Sequence, residues 1–365
     1  MAKADSVKIY QDLMARVEKE KGEIASIYKE MAAKLGEGES EHIQRIMAKL
    51  STPEQARIVV ALPDPDRDPA LGRTLEVSEE FAKKLNMDKE IADKHIRELY
   101  EKGLLFPTRA GPQMARTHIQ LHDAVLGNPK YDEPLGDEFF DLWGALDGEM
   151  QKPRPEDLRP GAAVFRVLPR GKSIENVPGV EPCEDIRELL KAQDLLVLLH
   201  CACKRAHQDR WCGTPDESCI TVGRTAQYNL NRGTGRKISY NEALEVLKKY
   251  DQYPTVNLTV NQKDVNQLIC NCHYCCCAAM KRAEKSRFVA EVDPEKCRGC
   301  KICVERCQYS AVSMKPYPGI ERERSYIDPR LCRGCGSCVV TCPAEARMMK
   351  VVRPTEHIPD SLSIY

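Results

Sequence analysis

A tandem repeat near the C-terminus constrains this chain more than any other feature. Residues 292–314 (VDPEKCRGCKICVERCQYSAVSM) align with residues 327–349 (IDPRLCRGCGSCVVTCPAEARMM) at an offset of 35, and eleven of 23 positions are identical. Each copy has the form C-x2-C-x2-C-x3-C. Three thiols separated by two residues on one tight loop can converge on a single inorganic centre, while the fourth thiol of each copy can reach outside its own loop. All 18 cysteines lie at or after position 183, so the first half of the 365-residue chain carries no thiols. The N-terminus (MAKADSVKIYQDLM) is charged and lacks the apolar segment of an export signal. The strongest apolar run, Leu195 to Leu199, is far shorter than the ~20 residues a membrane helix needs. A cytoplasmic, reducing compartment is therefore expected, where clustered cysteines bind metal rather than pair. With 55 basic and 55 acidic side chains, nothing in the bulk charge calls for nucleic acid or an anionic membrane.

The repeat resembles the signature of bacterial-type ferredoxins with two [4Fe–4S] clusters. That resemblance implies a ferredoxin-like dicluster domain in which three cysteines of one copy and the fourth of the other share a cluster. Carried over by position, Cys297, Cys300, Cys303 and Cys342 would hold one cluster, and Cys332, Cys335, Cys338 and Cys307 the other. Gly299, Gly334 and Gly336 suit a close backbone approach to cluster sulfurs. Zinc ribbons fit less well, because they favour two separated cysteine pairs. One departure stands out: the second copy has Cys342-Pro343, the first Cys307-Gln308, which should alter the rigidity of that turn. Residues 281–365 carry 16 basic and 11 acidic side chains, a formal +5 that two all-thiolate clusters at about −2 each would nearly cancel. A near-neutral module tethered to other domains reads as a fixed relay within a larger assembly.

Nine further cysteines fall in two groups. Cys201, Cys203, Cys212 and Cys219 form the first; Cys270, Cys272, Cys275, Cys276 and Cys277 form the second. A run such as CNCHYCCC would be open to oxidation if left unliganded. Each group could serve one more four-cysteine site, with one thiol left over, and a mixture across the two groups fits the spacing equally well. One or two additional [4Fe–4S] clusters are expected, with zinc the alternative. His200, His207 and His273 adjoin these groups as hydrogen-bonding neighbours rather than ligands. Cys183 stands alone and reads as a small buried hydrophobe. The block resembles uncharacterised iron–sulfur proteins of strict anaerobes, which implies clusters and redox metabolism but names no substrate.

Upstream, residues 1–62 read as helical, with a helix start at Ser51-Thr-Pro-Glu54. Ser78 opens a short helix, Asp88 caps a second that ends at Gly103, Leu104–Phe106 reads as a strand, and Met114–Leu121 as the returning strand. Helix, turn, helix and hairpin resemble a winged-helix domain. DNA binding through the 88–102 helix is disfavoured, because Lys89, Lys94, Arg97 and Lys102 face five acidic neighbours on the same helix. Residues 127–160 are rich in Pro, Gly and acid, apart from Phe139, Phe140, Leu142 and Trp143. They read as a linker with a short docking helix. The apolar run hints at an interface, and the winged-helix-like N-terminal domain reads as a protein-docking or dimerisation module, with a homodimer through that domain as one candidate.

The expected fold is multidomain α+β. It comprises a helical and winged-helix-like unit over 1–126, the linker over 127–160, an α/β Cys-rich unit over 161–285 and the ferredoxin-like dicluster unit over 286–365. The expected function is multi-cluster iron–sulfur electron transfer with a redox protein partner, as a carrier or oxidoreductase subunit rather than a stand-alone enzyme, with no catalytic residue assigned. Two alternatives stay open: an iron–sulfur redox sensor that binds DNA, and an oxidoreductase with its substrate site in the Cys-rich unit.

Overall fold

The computed structural model of the chain describes residues 3–19, 25–65, 71–150, 163–207, 213–265 and 267–361. Four helices begin it: α1 (Lys3–Lys19), α2 (Ser26–Ala33), α3 (Glu41–Leu50) and α4 (Pro53–Ala61). Their apolar stripes supply Leu13, Val17, Met31, Ile43, Ile46, Met47 and Leu50 to one core, all essentially inaccessible. The cap of α4 is Thr52 rather than Ser51. Its hydroxyl accepts from the Gln55 amide, and Gln55 Oε1 accepts from the Thr52 amide, both at 3.2 Å. The displaced Ser51 hydroxyl donates to the Met47 carbonyl instead. Pro53 dictates this register, because it fits the first helical position and so makes its predecessor the cap.

Strand β1 (Leu71–Thr74), helices α5 (Glu79–Lys84) and α6 (Lys89–Lys102), and the hairpin β2 (Leu105–Thr108) and β3 (Gly111–Met114) follow. Asp88 caps α6 by accepting from the Glu90 amide, and Gly103 ends it in the left-handed conformation. The returning strand lies earlier than expected: it occupies Gly111–Met114, beginning in the segment expected to turn, and shares only Met114 with the expected span. It stops at Met114, opposite the first residue of β2, and Thr117 then caps α7 (His118–Leu126).

The short docking helix expected within the 127–160 linker is longer than expected. From Asp132 to Met150 the segment forms α8, kinked at Gly136 (φ 69°), and residues 151–160 lie outside the described residues. Phe139, Phe140, Leu142 and Trp143 are buried in the same core as α1 and α3. Glycine and proline punctuation mimicked a linker, but Gly136 only bends the helix and the apolar face decides its fate. Those side chains are consumed inside the chain and offer no surface to a second copy.

The middle of the chain is a six-stranded sheet of β4 (Phe165–Leu168), β5 (Leu196–His200), β6 (Glu217–Val222), β7 (Gly235–Ile238), β8 (Val256–Val260) and β9 (Leu268–Cys272). Its order is β4-β8-β9-β6-β5-β7 and every pairing is antiparallel, so it is not the parallel sheet of a wound α/β unit. Leu196, Leu198, Ile220 and Ile269 pack beneath α9 (Ile186–Lys191) and α12 (Tyr240–Tyr250). Val197 and Leu199 point the other way, against Ala226 of α11 (Gly223–Arg232). A short helix, α10 (Ala202–Ala206), leaves the end of β5 and joins the N-terminal core through Ala202 and Ala206. Tyr228 of α11 stacks on Phe106 of β2 at 4.3 Å between ring centroids, so the two regions share a packed seam.

The repeat builds the C-terminal end: β10 (Phe288–Val292), α13 (Ile302–Arg306), β11 (Val312–Tyr317), β12 (Ile320–Ile327), α14 (Ser337–Val340) and β13 (Arg347–Val351). Its pairings exchange partners, with β10 against β13 and β11 against β12, so each two-stranded sheet holds one strand from each copy. Three pairs of positions at the 35-residue offset share positive φ: Gly299 and Gly334, Lys301 and Gly336, Ser310 and Glu345. The whole is a mixed helix and sheet architecture, consistent with α+β.

Candidate metal centres

In the repeat, strand exchange is what brings the fourth cysteine of one copy toward the loop of the other. Cys335 and Cys338 both feel the charge of Cys332 and of Cys307, which comes from the opposite copy. Burial pushes both thiols up, Cys338 to about 11, with like-charged neighbours adding to it. Groups so disfavoured as free thiolates need a cation to hold them ionised. Around the other loop, Arg347 Nη2 donates to Cys303 Sγ at 2.9 Å and lies near enough to Cys342 to feel its charge. The Ala311 amide donates to Cys307 Sγ at 3.2 Å. Sulfurs that accept hydrogen bonds from backbone and guanidinium groups are suited to the thiolates of an iron–sulfur cluster, so the residues present fit such groups.

The two loops differ in setting. Cys300 is exposed, whereas Cys332 is buried. The second loop lies against the middle sheet: the Arg170 amide donates to the Cys335 carbonyl at 3.0 Å, and Ser286 Oγ donates to the Gly334 carbonyl at 2.9 Å. A Cβ on Gly334 would stand 2.2 Å from the Phe288 carbonyl oxygen, so only glycine fits.

The middle cysteines do not sort into the two sequence groups. Pairing of β6 with β9 sets Cys219 directly opposite Cys270, with their sulfurs 3.8 Å apart. Cys272 lies two residues further along β9 and so on the same face. Cys201 follows β5 on the face that carries Leu199, the partner of Cys219. Cys219, Cys270, Cys272, Cys277, Cys203 and Cys201 then follow one another closely enough that each thiol shifts the titration of the next. Cys270 is pulled down because Cys219 and Cys272 both bond to it, and those two are correspondingly pushed up. Antiparallel neighbours far apart in sequence thus merge what spacing had divided. Cys275 and Cys276 turn instead toward His273: Cys275 Sγ lies 3.0 Å from His273 Nδ1, and Cys276 Sγ donates to the His273 carbonyl. Cys212 lies outside the described residues. His200 is engaged with Asp216 at 2.6 Å, as expected of a neighbour. Cys183 is half-buried against the sheet core.

Two groups were missed at the sequence level. Lys204, wholly inaccessible, donates to the Pro215 carbonyl and Ser218 Oγ, and its charge helps draw the Cys201 thiol down. A buried cation beside the Cys201 thiol suits a centre of net negative charge. Tyr309, two residues past Cys307, is half-buried with its hydroxyl shielded from solvent, and it feels the charges of Cys335, Cys277 and Cys272. Only the strict C-x3-C spacing hinted at it, because a residue just past the fourth cysteine of one copy must face the centre shared with the other.

Residues 296–346 match the family model for a 4Fe-4S dicluster domain. No curated protein and no solved structure matches the chain. No helix among the described residues is long and apolar enough to cross a membrane. The repeat region is therefore a ferredoxin-like 4Fe–4S dicluster domain, and this chain carries it at its C-terminus.

Proposed function

We propose that the chain is a multi-cluster electron-transfer protein in which the middle thiols hold a third redox centre next to the dicluster domain. The observation that carries this reading is Tyr309, whose ring packs in one core with Cys272, Cys277 and Cys335. Clusters bound at these thiols would supply one-electron carriers of low potential. The chain's own residues arrange the order: Cys300 at the surface, the Cys335 loop inside, then Tyr309, then the Cys272–Cys277 group. Cys201, Cys219, Cys270 and Cys272 supply the four ligands of the third centre, and Lys204 offsets part of its charge. Cys297, Cys300, Cys303 and Cys342, and Cys332, Cys335, Cys338 and Cys307, serve the two clusters of the repeat.

The N-terminal region acts as a docking module for a redox partner, and its helix–turn–helix–hairpin order supports a winged-helix-like reading. Its α6 is poorly suited to DNA, because Lys89 is held by Asp93 at 2.5 Å and Lys102 donates to the Leu50 carbonyl. The test is EPR of the anaerobically purified, reduced holoprotein. Spin-coupled [4Fe–4S] signals that simplify when Cys270 is replaced by serine support the reading. A protein that carries zinc alone, or spectra unchanged in Cys270→Ser, would overturn it.

A further inference from the structure

Beside the thiol chain, and sharing Cys203 with it, lies a second set of donors. His122 of α7, Asp147 of α8 and Cys203 of α10 each place one ligand atom within 4.8 Å of the other two. His122 is 1% exposed and Asp147 0%. His122 Nε2 stands 3.3 Å from Asp147 Oδ2, yet neither that nitrogen nor either Asp147 oxygen makes a hydrogen bond. A carboxylate buried in this way is unfavourable unless something positive meets it. The other imidazole nitrogen is already occupied: Nδ1 lies 2.9 Å from Asp123 Oδ1. A carboxylate on one ring nitrogen fixes the tautomer and turns the lone pair of the other toward a metal. Here Nε2 faces Asp147 Oδ2, and a bound cation would displace the proton that Asp147 favours there.

We propose that His122, Asp147 and Cys203 form a mononuclear site for a divalent cation of the zinc type, with Asp123 as the positioning residue for His122. The donor set decides the class. Nitrogen, oxygen and sulfur together suit Zn²⁺ or Fe²⁺, whereas Ca²⁺ and Mg²⁺ demand oxygen alone. A bare His122–Asp147 ion pair is the competing arrangement, but it leaves Asp147 Oδ1 without a donor. His207 Nε2, 3.9 Å from Asp147 Oδ2, adjoins a fourth position. A cation there ties α7 and α8 of the N-terminal core to α10 of the thiol-bearing sheet, so it clamps the docking region to the redox region. The site needs Cys203 but not an iron–sulfur centre at the other thiols.

The experiment uses anaerobic holoprotein incubated with Zn²⁺, freed of excess by gel filtration, and analysed for zinc content and by zinc K-edge absorption. About one retained zinc per chain with mixed nitrogen, oxygen and sulfur ligands is the expected result. Asp147→Asn and His122→Gln should each lose that equivalent, and Asp123→Asn should weaken zinc retention against a chelator by ~10–100-fold. The EPR signals of the C-terminal clusters report that each variant is folded. Absence of retained zinc in the wild type, equal retention in the variants, or an all-sulfur zinc environment would overturn the proposal. Zinc retention does not depend on iron at the third redox centre, so a failure of that centre would show separately in the iron count.

Discussion

The backbone amide of Tyr274 donates to Oε1 of Gln308 at 3.0 Å. Gln308 occupies the position where the other copy of the repeat has Pro343, and Tyr274 sits inside the CNCHYCCC run. Proline has no side-chain acceptor, so the departure from the repeat is what ties the dicluster domain to the thiol-bearing turn. Replacing Gln308 with alanine should cost about 1–3 kcal/mol by withdrawing that acceptor. It should also change the reduced EPR spectrum without loss of iron, as checked by anaerobic denaturation and EPR on the same samples.

Tyr309 makes a different demand. Its hydroxyl is buried and has no hydrogen-bond partner among the described residues. Removing an unsatisfied polar atom of this kind is neutral or favourable, so Tyr309→Phe should leave stability unchanged or raise it by about 1 kcal/mol. Tyr309→Ala should cost about 3–5 kcal/mol through the cavity it leaves. A marked fall in the unfolding midpoint of Tyr309→Phe would mean that the hydroxyl is engaged.

The two loops of the repeat should respond oppositely to substitution. Gly334→Ala drives a Cβ into the Phe288 carbonyl, a backbone atom that cannot step aside. It should detach the second loop from the middle sheet and lower cluster occupancy there. Lys301 holds a left-handed φ of 64° where the other copy has Gly336, so Lys301→Gly should be neutral or mildly stabilising, within about 1 kcal/mol. Iron content and thermal midpoints of the two variants provide the comparison.

Much of this was legible in the sequence, and the failures share a cause. Cysteine spacing is local, so the repeat was readable as a 4Fe–4S dicluster domain. The grouping of Cys219 with Cys270 was not, because it depends on β6 lying next to β9, a contact between segments about 50 residues apart. Residues 132–147 were misjudged for a related reason: Gly136 and Pro134 weigh on local propensity, whereas the burial of Phe139 and Trp143 depends on α1 and α3. The site at His122 and Asp147 carried no motif at all, since its donors come from three helices.

That burial has its own consequence. If the stretch around Phe139 to Trp143 were a linker, limited proteolysis would cut it first. The expected outcome is protection there, and Trp143→Ala should destabilise the N-terminal core by about 3–5 kcal/mol. Peptide mapping after brief digestion decides between the two.

The central claim is that thiols from both middle groups form one redox centre beside the dicluster domain. Iron and acid-labile sulfide per chain, measured on anaerobic holoprotein and on Cys219→Ser and Cys270→Ser variants, test it most directly. The expected result is about twelve irons in the wild type and about eight in either variant. About eight irons in all three proteins would contradict it.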